Sequence, residues 1–366
     1  MSHNLRRLSF IEVRLQELPM QSFEPGFIER QPITQNILRT IRIIGEYKGK
    51  QELFNQQSPQ VLETLQQAAI IQSTESSNRI EGVEAPLQRI KALIAQKTTP
   101  QNRSEQEIAG YRDVLNTIHA SYEHMPFNTS LVLQLHRDLY QFLPSGGGKW
   151  KSSNNNITET RPDGSTVVRF ETVTAFLTPG AMTQLHERFN YMMQADQVEQ
   201  LLLIPSYVLD FLCIHPFRDG NGRMARLLTL LLLYQAGYEV GRYISLEKII
   251  ERSKESYYDT LYQSSLGWHE GQHTLLPWWE YFLGVILKAY RDFEQRVGLL
   301  TSSKGAKREV VFDVVERLPN QFQYIDVERA CPGVSRPTIN RALAELRRLG
   351  KIRCIKSGRD AIWQKT

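Results

Sequence analysis

The stretch FLCIHPFRDGNGRMARLLTLLLLYQAG, Phe211–Gly237, sets two apolar runs on either side of HPFRDGNGRMAR, which carries a histidine, an aspartate, an asparagine, three arginines and two glycines. The flanks have the character of core helix, and the polar insert needs an explanation. Pro216 disfavours helical backbone at the residue before it, so the helix SYVLDFLCI should end near His215 and leave the imidazole at its terminus. RDGNGR then makes a tight turn in which Gly220 and Gly222 permit positive φ or close backbone approach. A second helix should start between Asn221 and Met224, with unpaired first amides that form an anion site. Arg223 and Arg226, three apart, share a face of its first turn. Asp219 stands in the turn, where a carboxylate can hold Mg²⁺. Together these describe a polyphosphate site faced by His215 as a base, with the apolar flanks as rigid support.

The rest of the chain sets the context. Its 366 residues suit two or three domains, and 41% hydrophobic with 23% charged residues is a soluble globular balance. LLTLLLLYQAG is too short to span a bilayer, and the N-terminal MSHNLRRLSF lacks the apolar core of a secretory signal, so no membrane association is expected. Cys213, Cys331 and Cys354 are sparse and scattered, which argues for a reducing compartment and a cytoplasmic location. From Ala306 onward there are 13 Lys and Arg against 7 Asp and Glu, a balance of +6, whereas the whole chain carries +5. The basic surplus therefore belongs to the C-terminal piece and implies a partner for that piece.

Along the chain, the segment before about Pro59 reads as irregular with one helical stretch, ITQNILRTIRIIGEY. SPQVLETLQQAAIIQ has helical apolar spacing and is expected to end near Gln72. SLVLQLHRDLYQFLP is a helix that should stop at Pro144. ITETRPDGSTVVRFETV reads as a β-hairpin about Pro162-Asp163-Gly164. GAMTQLHERFNYMMQA, PSYVLDFLCI and MARLLTLLLLYQAG are helical again, and Gly298–Glu309 is the best linker. The fold class is mainly α with one hairpin. Trp268, Trp278, Trp279, Tyr281 and Phe282 have the spacing of core residues. The remaining histidines form no metal-ligand pattern, and His136 reads as a packing residue of an amphipathic helix.

HPFRDGNGRMAR resembles the signature of the Fic family: His, any residue, Phe, any residue, Asp or Glu, Gly-Asn-Gly-Arg, two of any, Arg. Every constrained position is filled. The resemblance implies a mostly helical catalytic domain, here 101–297, that transfers AMP from ATP onto a Ser, Thr or Tyr hydroxyl of a target protein and of itself. It implies His215 as general base, Asp219 as Mg²⁺ ligand, and Gly220, Asn221, Gly222 and Arg223 as the phosphate cradle. Arg226 would clamp the γ-phosphate, and Tyr257 (with Tyr258 as a neighbour) would line the nucleoside pocket. Upstream, SSNRIEG resembles the family's inhibitory motif, placing Ser77, Glu81 and Gly82 in an N-terminal unit over 1–100. There Glu81 would pair with Arg226 and keep it from the γ-phosphate. The alternative is that Glu81 is an exposed carboxylate at a loop end. The hairpin corresponds to the family's flap, with Val168, Arg169 and Phe170 as its docking edge for a target strand. Some inhibited relatives also remove AMP, and others transfer phosphocholine, UMP or phosphate.

The C-terminal 306–366 reads as helix, helix, helix and β-hairpin, an order that resembles a winged helix-turn-helix. Ser335 suits an N-cap, Pro337 the first turn and Gly350 the helix end. Leu343, Leu346 and Leu349 should pack inward, while Arg336, Thr338, Asn340 and Arg341 lie at the end that enters a major groove in this class. KSGRD would be the wing tip. Such modules also serve protein contacts and homodimers, so DNA is one partner class among several. A DNA-binding regulator with a nucleotide-sensing Fic portion is the second reading of the whole chain.

Overall fold

The computed structural model describes residues 22–366, apart from 58, 161–162, 302–305, 332–333, 357 and 359–360. Helices α1 (Gln35–Gln57), α2 (Pro59–Ile80), α3 (Leu87–Ile94), α4 (Arg103–Ser121) and α5 (Thr129–Leu139) come first. A hairpin of β1 (Ile157–Thr160) and β2 (Thr166–Phe170) leads into α6 (Thr178–Ala195), α7 (Gln200–Ile214) and α8 (Asn221–Gln235). Then come α9 (Leu246–Arg252), α10 (Lys254–Ser265) and α11 (Leu276–Thr301). The chain closes with α12 (Ala306–Arg317), β3 (Gln321–Gln323), α13 (Tyr324–Ala330), α14 (Arg336–Arg348), β4 (Ile352–Lys356) and β5 (Ile362–Lys365). The protein is mainly helical, and no described helix is long and apolar enough to cross a membrane.

The two apolar runs of the opening stretch form the centre. Almost every residue of α7 and α8 is buried, the pattern of helices enclosed on all sides. They pack on each other, with α6, α10 and α11 against α7 and with α2 and α4 against α8. α7 begins at Gln200 and not at Pro205, which lies inside the helix. Proline costs a backbone hydrogen bond there, about 3 kcal/mol. Burial of Leu201, Leu203 and Ile204 favours the longer helix, and the Pro205 carbonyl accepts a bond from Trp278 Nε1 at 2.7 Å.

α2 also outruns its sequence pattern. It does not stop near Gln72 but runs through STESSNR to Ile80. These residues are weak helix formers, yet Ser73, Thr74, Ser76, Ser77 and Asn78 are buried. Tertiary bonds hold them. Ser73 Oγ donates to Glu247 Oε2 at 2.7 Å and Ser76 Oγ to Glu251 Oε2 at 2.8 Å. The helix then closes on a glycine. Gly82 adopts φ +78°, Gly82 N–H donates to Arg79 O at 3.0 Å, and Val83 N–H donates to Asn78 O at 2.9 Å. This paired termination leaves Glu81 at the cap.

Other boundaries shift as well. α5 ends at Leu139, short of Pro144, and a turn through Tyr140 and Leu143 replaces its last part. The first helix extends to Gln57, and the expected linker at Gly298–Glu309 is largely helical on both sides of 302–305. The hairpin forms as expected, with Ile157 paired to Phe170 and Thr160 to Thr166. Of its expected turn, Pro162 lies outside the described residues, whereas Asp163 Oδ1 accepts from Ser165 N–H at 2.9 Å.

Apolar residues between Phe23 and Val297 share one core, and Ile90, Leu93 and Ile108 form a smaller cluster of their own. A second core gathers Val311, Val315, Phe322, Val327, Ile339, Leu343, Leu346 and Ile352. Around it the three helices and hairpin appear in the expected order, and β3 adds a strand to give the sheet order β3-β5-β4. α14 closes through Gly350 N–H to Arg347 O and Lys351 N–H to Leu346 O, at 3.1 and 3.0 Å. Two details differ. Leu349 is exposed, because the helix has already turned away from the core at its cap. Ser335 occupies the N-cap position, but its hydroxyl pairs with Thr338 Oγ1 at 3.0 Å instead of a backbone amide. Parts of the KSGRD tip lie outside the described residues.

Candidate active site

His215 caps α7 in the left-handed conformation, φ +52° and ψ 60°. Its Nδ1 lies 3.3 Å from the Leu212 carbonyl. A carbonyl only accepts, so the proton sits on Nδ1 and Nε2 keeps its lone pair. Burial pushes the His215 imidazole down to about 4; the Leu212 carbonyl opposes this, Lys151 adds to it, and Glu81 and Asp219 oppose it. The ring is therefore neutral at neutral pH, the form a base requires.

Beside it is a cavity of about 520 Å³ whose lining includes His215, Gly222, Arg226 and Glu81. α10 supplies Tyr257, Tyr258, Leu261 and Tyr262, α7 supplies Leu209, Leu212 and Cys213, and the hairpin supplies Thr158, Glu159, Arg169 and Phe170. The lining thus combines apolar and aromatic residues with charged ones. Arg169 stacks over Tyr262 with its guanidinium carbon 4.1 Å from the ring centre and pairs with Glu159 at 3.1 Å. Phe170 stacks on His269, while Val168 is exposed on the same strand.

Arg226 is held by Ser77 of α2 and by Glu81 just past its end. Its Nη2 donates to Glu81 Oε1 at 2.8 Å and to the Ser77 carbonyl at 2.9 Å, and its Nε donates to Ser77 Oγ at 2.8 Å. Burial opposes the charge, but Glu81, Tyr257 and Tyr111 outweigh it and raise the guanidinium further above its ordinary value. Nη1 is buried with no hydrogen-bond partner, a donor ready for an incoming acceptor. Gly222 makes this contact feasible: a Cβ there would stand 2.2 Å from Glu81 Oε1.

Other signature residues take different posts. Arg223 does not share the cavity with Arg226; its guanidinium is buried against Glu107 Oε2 at 2.5 Å and Tyr140 Oη at 3.1 Å. Three residues advance a helix by about 300°, enough to aim the two side chains at different neighbours. Asn221 spends its amide on the loop itself, accepting from Phe217 N–H at 2.9 Å and donating to Phe217 O at 2.7 Å. Asp219 is half exposed and accepts from Gly220 N–H at 2.6 Å; Arg103 and Arg223 stand 3.7 and 3.8 Å from it. Gly220 holds φ +81° before the first amides of α8. Tyr257 is buried, and Tyr258 is partly exposed at the cavity wall.

Sequence patterns missed the residues that hold the loop from outside. His136 is more than packing: its ring lies flat on Phe217 at 3.6 Å, its Nε2–H donates to Asp219 O at 3.1 Å, and its Nδ1 accepts from Gly148 N–H at 2.9 Å. Asn155 Nδ2 donates to Phe217 O at 2.8 Å, and Lys151 Nζ to Ile214 O at 3.0 Å. The only sequence signal was proximity to the glycine cluster at 146–148.

Residues 126–233 match the sequence model of the Fic/DOC family, so the chain carries a Fic domain. Among curated proteins it is 25% identical over 225 residues to a protein adenylyltransferase Fic of Drosophila grimshawi, covering 58% of this chain and 44% of that one. It is 27% identical over 220 residues to the protein of the same name from Culex quinquefasciatus, covering 56% and 39%. The matches thus span less than half of these relatives' own lengths. Among solved structures, a Fic family protein from Desulfovibrio desulfuricans G20 superposes with a TM-score of 0.59 at 21% identity, over 92% of this chain and 97% of that one. Fic-1 (residues 134–508) from C. elegans superposes with a TM-score of 0.57 at 19% identity, over 73% and 74%. These likenesses show a Fic fold.

Proposed function

We propose that the protein is an adenylyltransferase that moves AMP from ATP to a Ser, Thr or Tyr hydroxyl of a protein target and of itself, and that Glu81 holds it at rest. The observation that carries this is the neutral His215 sharing one cavity with Arg226, while Glu81 occupies Arg226. His215 Nε2 takes the proton of the target hydroxyl, whose oxygen attacks the α-phosphorus. The bond to the bridging oxygen breaks and pyrophosphate leaves. The aromatic wall of Tyr257, Tyr258 and Tyr262 suits a nucleobase, and the first amides of α8 with Arg226 suit phosphates. Asp219 fits Mg²⁺: one accessible carboxylate, two residues before the first amides of α8, is what that ion uses when substrate oxygens and water complete its shell. The ion would supply charge neutralisation. The flap edge at Val168–Phe170 would pair with a target strand.

With Glu81 on Arg226, the γ-phosphate loses its clamp and meets a carboxylate, so ATP is badly presented. Glu81→Gly incubated with α-labelled ATP should yield an AMP adduct, mapped by mass spectrometry, and Glu81→Gly/His215→Ala should yield none. No adduct from ATP would remove the transferase reading. A second reading is supported by Glu81 lining the same cavity as His215: in the reverse direction its carboxylate would orient water against an adenylylated side chain. Release of AMP from a modified target by the wild type, lost in Glu81→Gln, is its test.

Residues 306–366 are read as a winged helix, with Arg336, Asn340 and Arg341 exposed on α14 and a +6 charge balance supporting a nucleic-acid partner. Duplex binding that weakens as salt rises tests this; no binding at any salt removes it.

A further inference from the structure

Lys151 is buried beside His215, and among the described residues its ammonium meets no carboxylate. Lysines are rarely buried without a counter-charge, so this one calls for a reason. Its bonds converge on the base. The Lys151 backbone N–H donates to Pro216 O at 2.8 Å, and Nζ donates to Ile214 O at 3.0 Å, so the residue grips the carbonyls on both sides of His215. Nζ also donates to Thr172 Oγ1 at 2.8 Å, two residues past the end of β2. Thr172 Oγ1 in turn donates to Asn155 O at 2.7 Å, two residues before β1. The left-handed backbone of His215 is costly for a residue with a Cβ and persists only where its surroundings over-determine it.

We infer that Lys151 is a positioning residue for His215: it fixes the base by its two neighbouring carbonyls and ties that loop to the root of the flap. This rests on His215 being the base of the proposed transfer. The charged groups facing the imidazole are Lys151 on one side and Glu81 and Asp219 on the other. Lys151 is the one that disfavours a proton on the ring. Burial lowers the lysine to about 8, so it remains mostly charged at neutral pH. One side chain therefore serves geometry and protonation state together, and couples both to the element that would dock the target.

The test uses the full chain and two measurements. Histidine titration by NMR, with the His215 signal assigned through His215→Ala, needs no nucleotide. Transfer kinetics are taken in the Glu81→Gly background. Lys151→Met should raise the His215 midpoint by roughly half a pH unit or more. It should also lower kcat at least about 10-fold with KM for ATP little changed. Lys151→Arg should keep the midpoint low and recover most of kcat. Thr172→Val, which keeps the charge and cuts the tie to the flap, should leave the midpoint in place and lower kcat. A folded Lys151→Met with the parental midpoint and kcat overturns the inference. If Lys151→Met does not fold, the other two variants decide: parental kcat in Thr172→Val overturns it, and a deficit there with recovery in Lys151→Arg supports it. If Glu81→Gly transfers nothing, the transferase reading fails, and the titration alone still judges what Lys151 does to His215.

Discussion

At the scale of single residues, two arginines three positions apart show how little a motif says about aim. Arg226 reaches Ser77 and Glu81, whereas Arg223 is locked to Glu107 and Tyr140. The identity of both was legible from the sequence, and the family resemblance implied Glu81 as the partner of Arg226; the partners of Arg223 were not legible, because Glu107 and Tyr140 lie on segments far away along the chain. His215 carries a pH prediction. Its folded value of about 4 is far below the ordinary histidine value of 6.5. A base works only when unprotonated, so the acid limb of kcat/KM in Glu81→Gly should fall near pH 4, not near 6.5. An acid limb at the ordinary value would show that the imidazole is not desolvated during the proposed transfer.

At the scale of elements, the end of α2 carries the contacts on which the proposed resting state depends. Its last turn puts Ser77 and Glu81 on Arg226, and Gly82 sets where that turn ends. A Cβ at Gly82 meets nothing within 4 Å, so Gly82→Ala would cost only the left-handed backbone, roughly 1 kcal/mol. The expected result is a thermal midpoint lower by about 2 °C and transfer above wild type but below Glu81→Gly, because the carboxylate loses its fixed position. Unchanged transfer with a lowered midpoint would show that the helix end does not hold Glu81 in place. The flap behaves differently. Its alternating residues and turn made it legible, since strand pairing is local, but its ties to the His215 loop through Lys151, Thr172 and Asn155 were not.

At the scale of the whole molecule, the C-terminal core lies against the same helix that carries Glu81. Arg329 stands 3.5 Å from Glu75 of α2, and the buried Glu328 pairs with Lys91 of α3 at 2.9 Å and with Arg336 at 2.8 Å. Buried histidines tie the core to pH. Burial lowers His119 to about 3 and His136, His186, His215 and His273 to about 4. Below pH 6.5 the unfolded chain binds protons that the folded one does not, so stability should fall from pH 6.5 toward 4. Asp210, raised to about 7 by burial, acts the other way, losing stability as pH rises from its ordinary 3.8 through 7, but it is one group against five. Thermal midpoints at pH 7.5, 6 and 5 should therefore decline in that order, and a flat series would contradict the buried, neutral histidines.

What the sequence determined alone was the chemistry of the turn and two of the places where helices stop. Pro216 and Gly350 act through sterics between adjacent residues, so their effect is written where they stand. Tertiary structure alone decided that STESSNR is helical, that Pro205 sits within α7, that Arg226 and not Arg223 faces the cavity, and that Lys151 holds His215. Each of these depends on a buried polar or apolar contact between distant segments. Those contacts outweigh local propensity, and they leave no periodic trace in the chain that makes them.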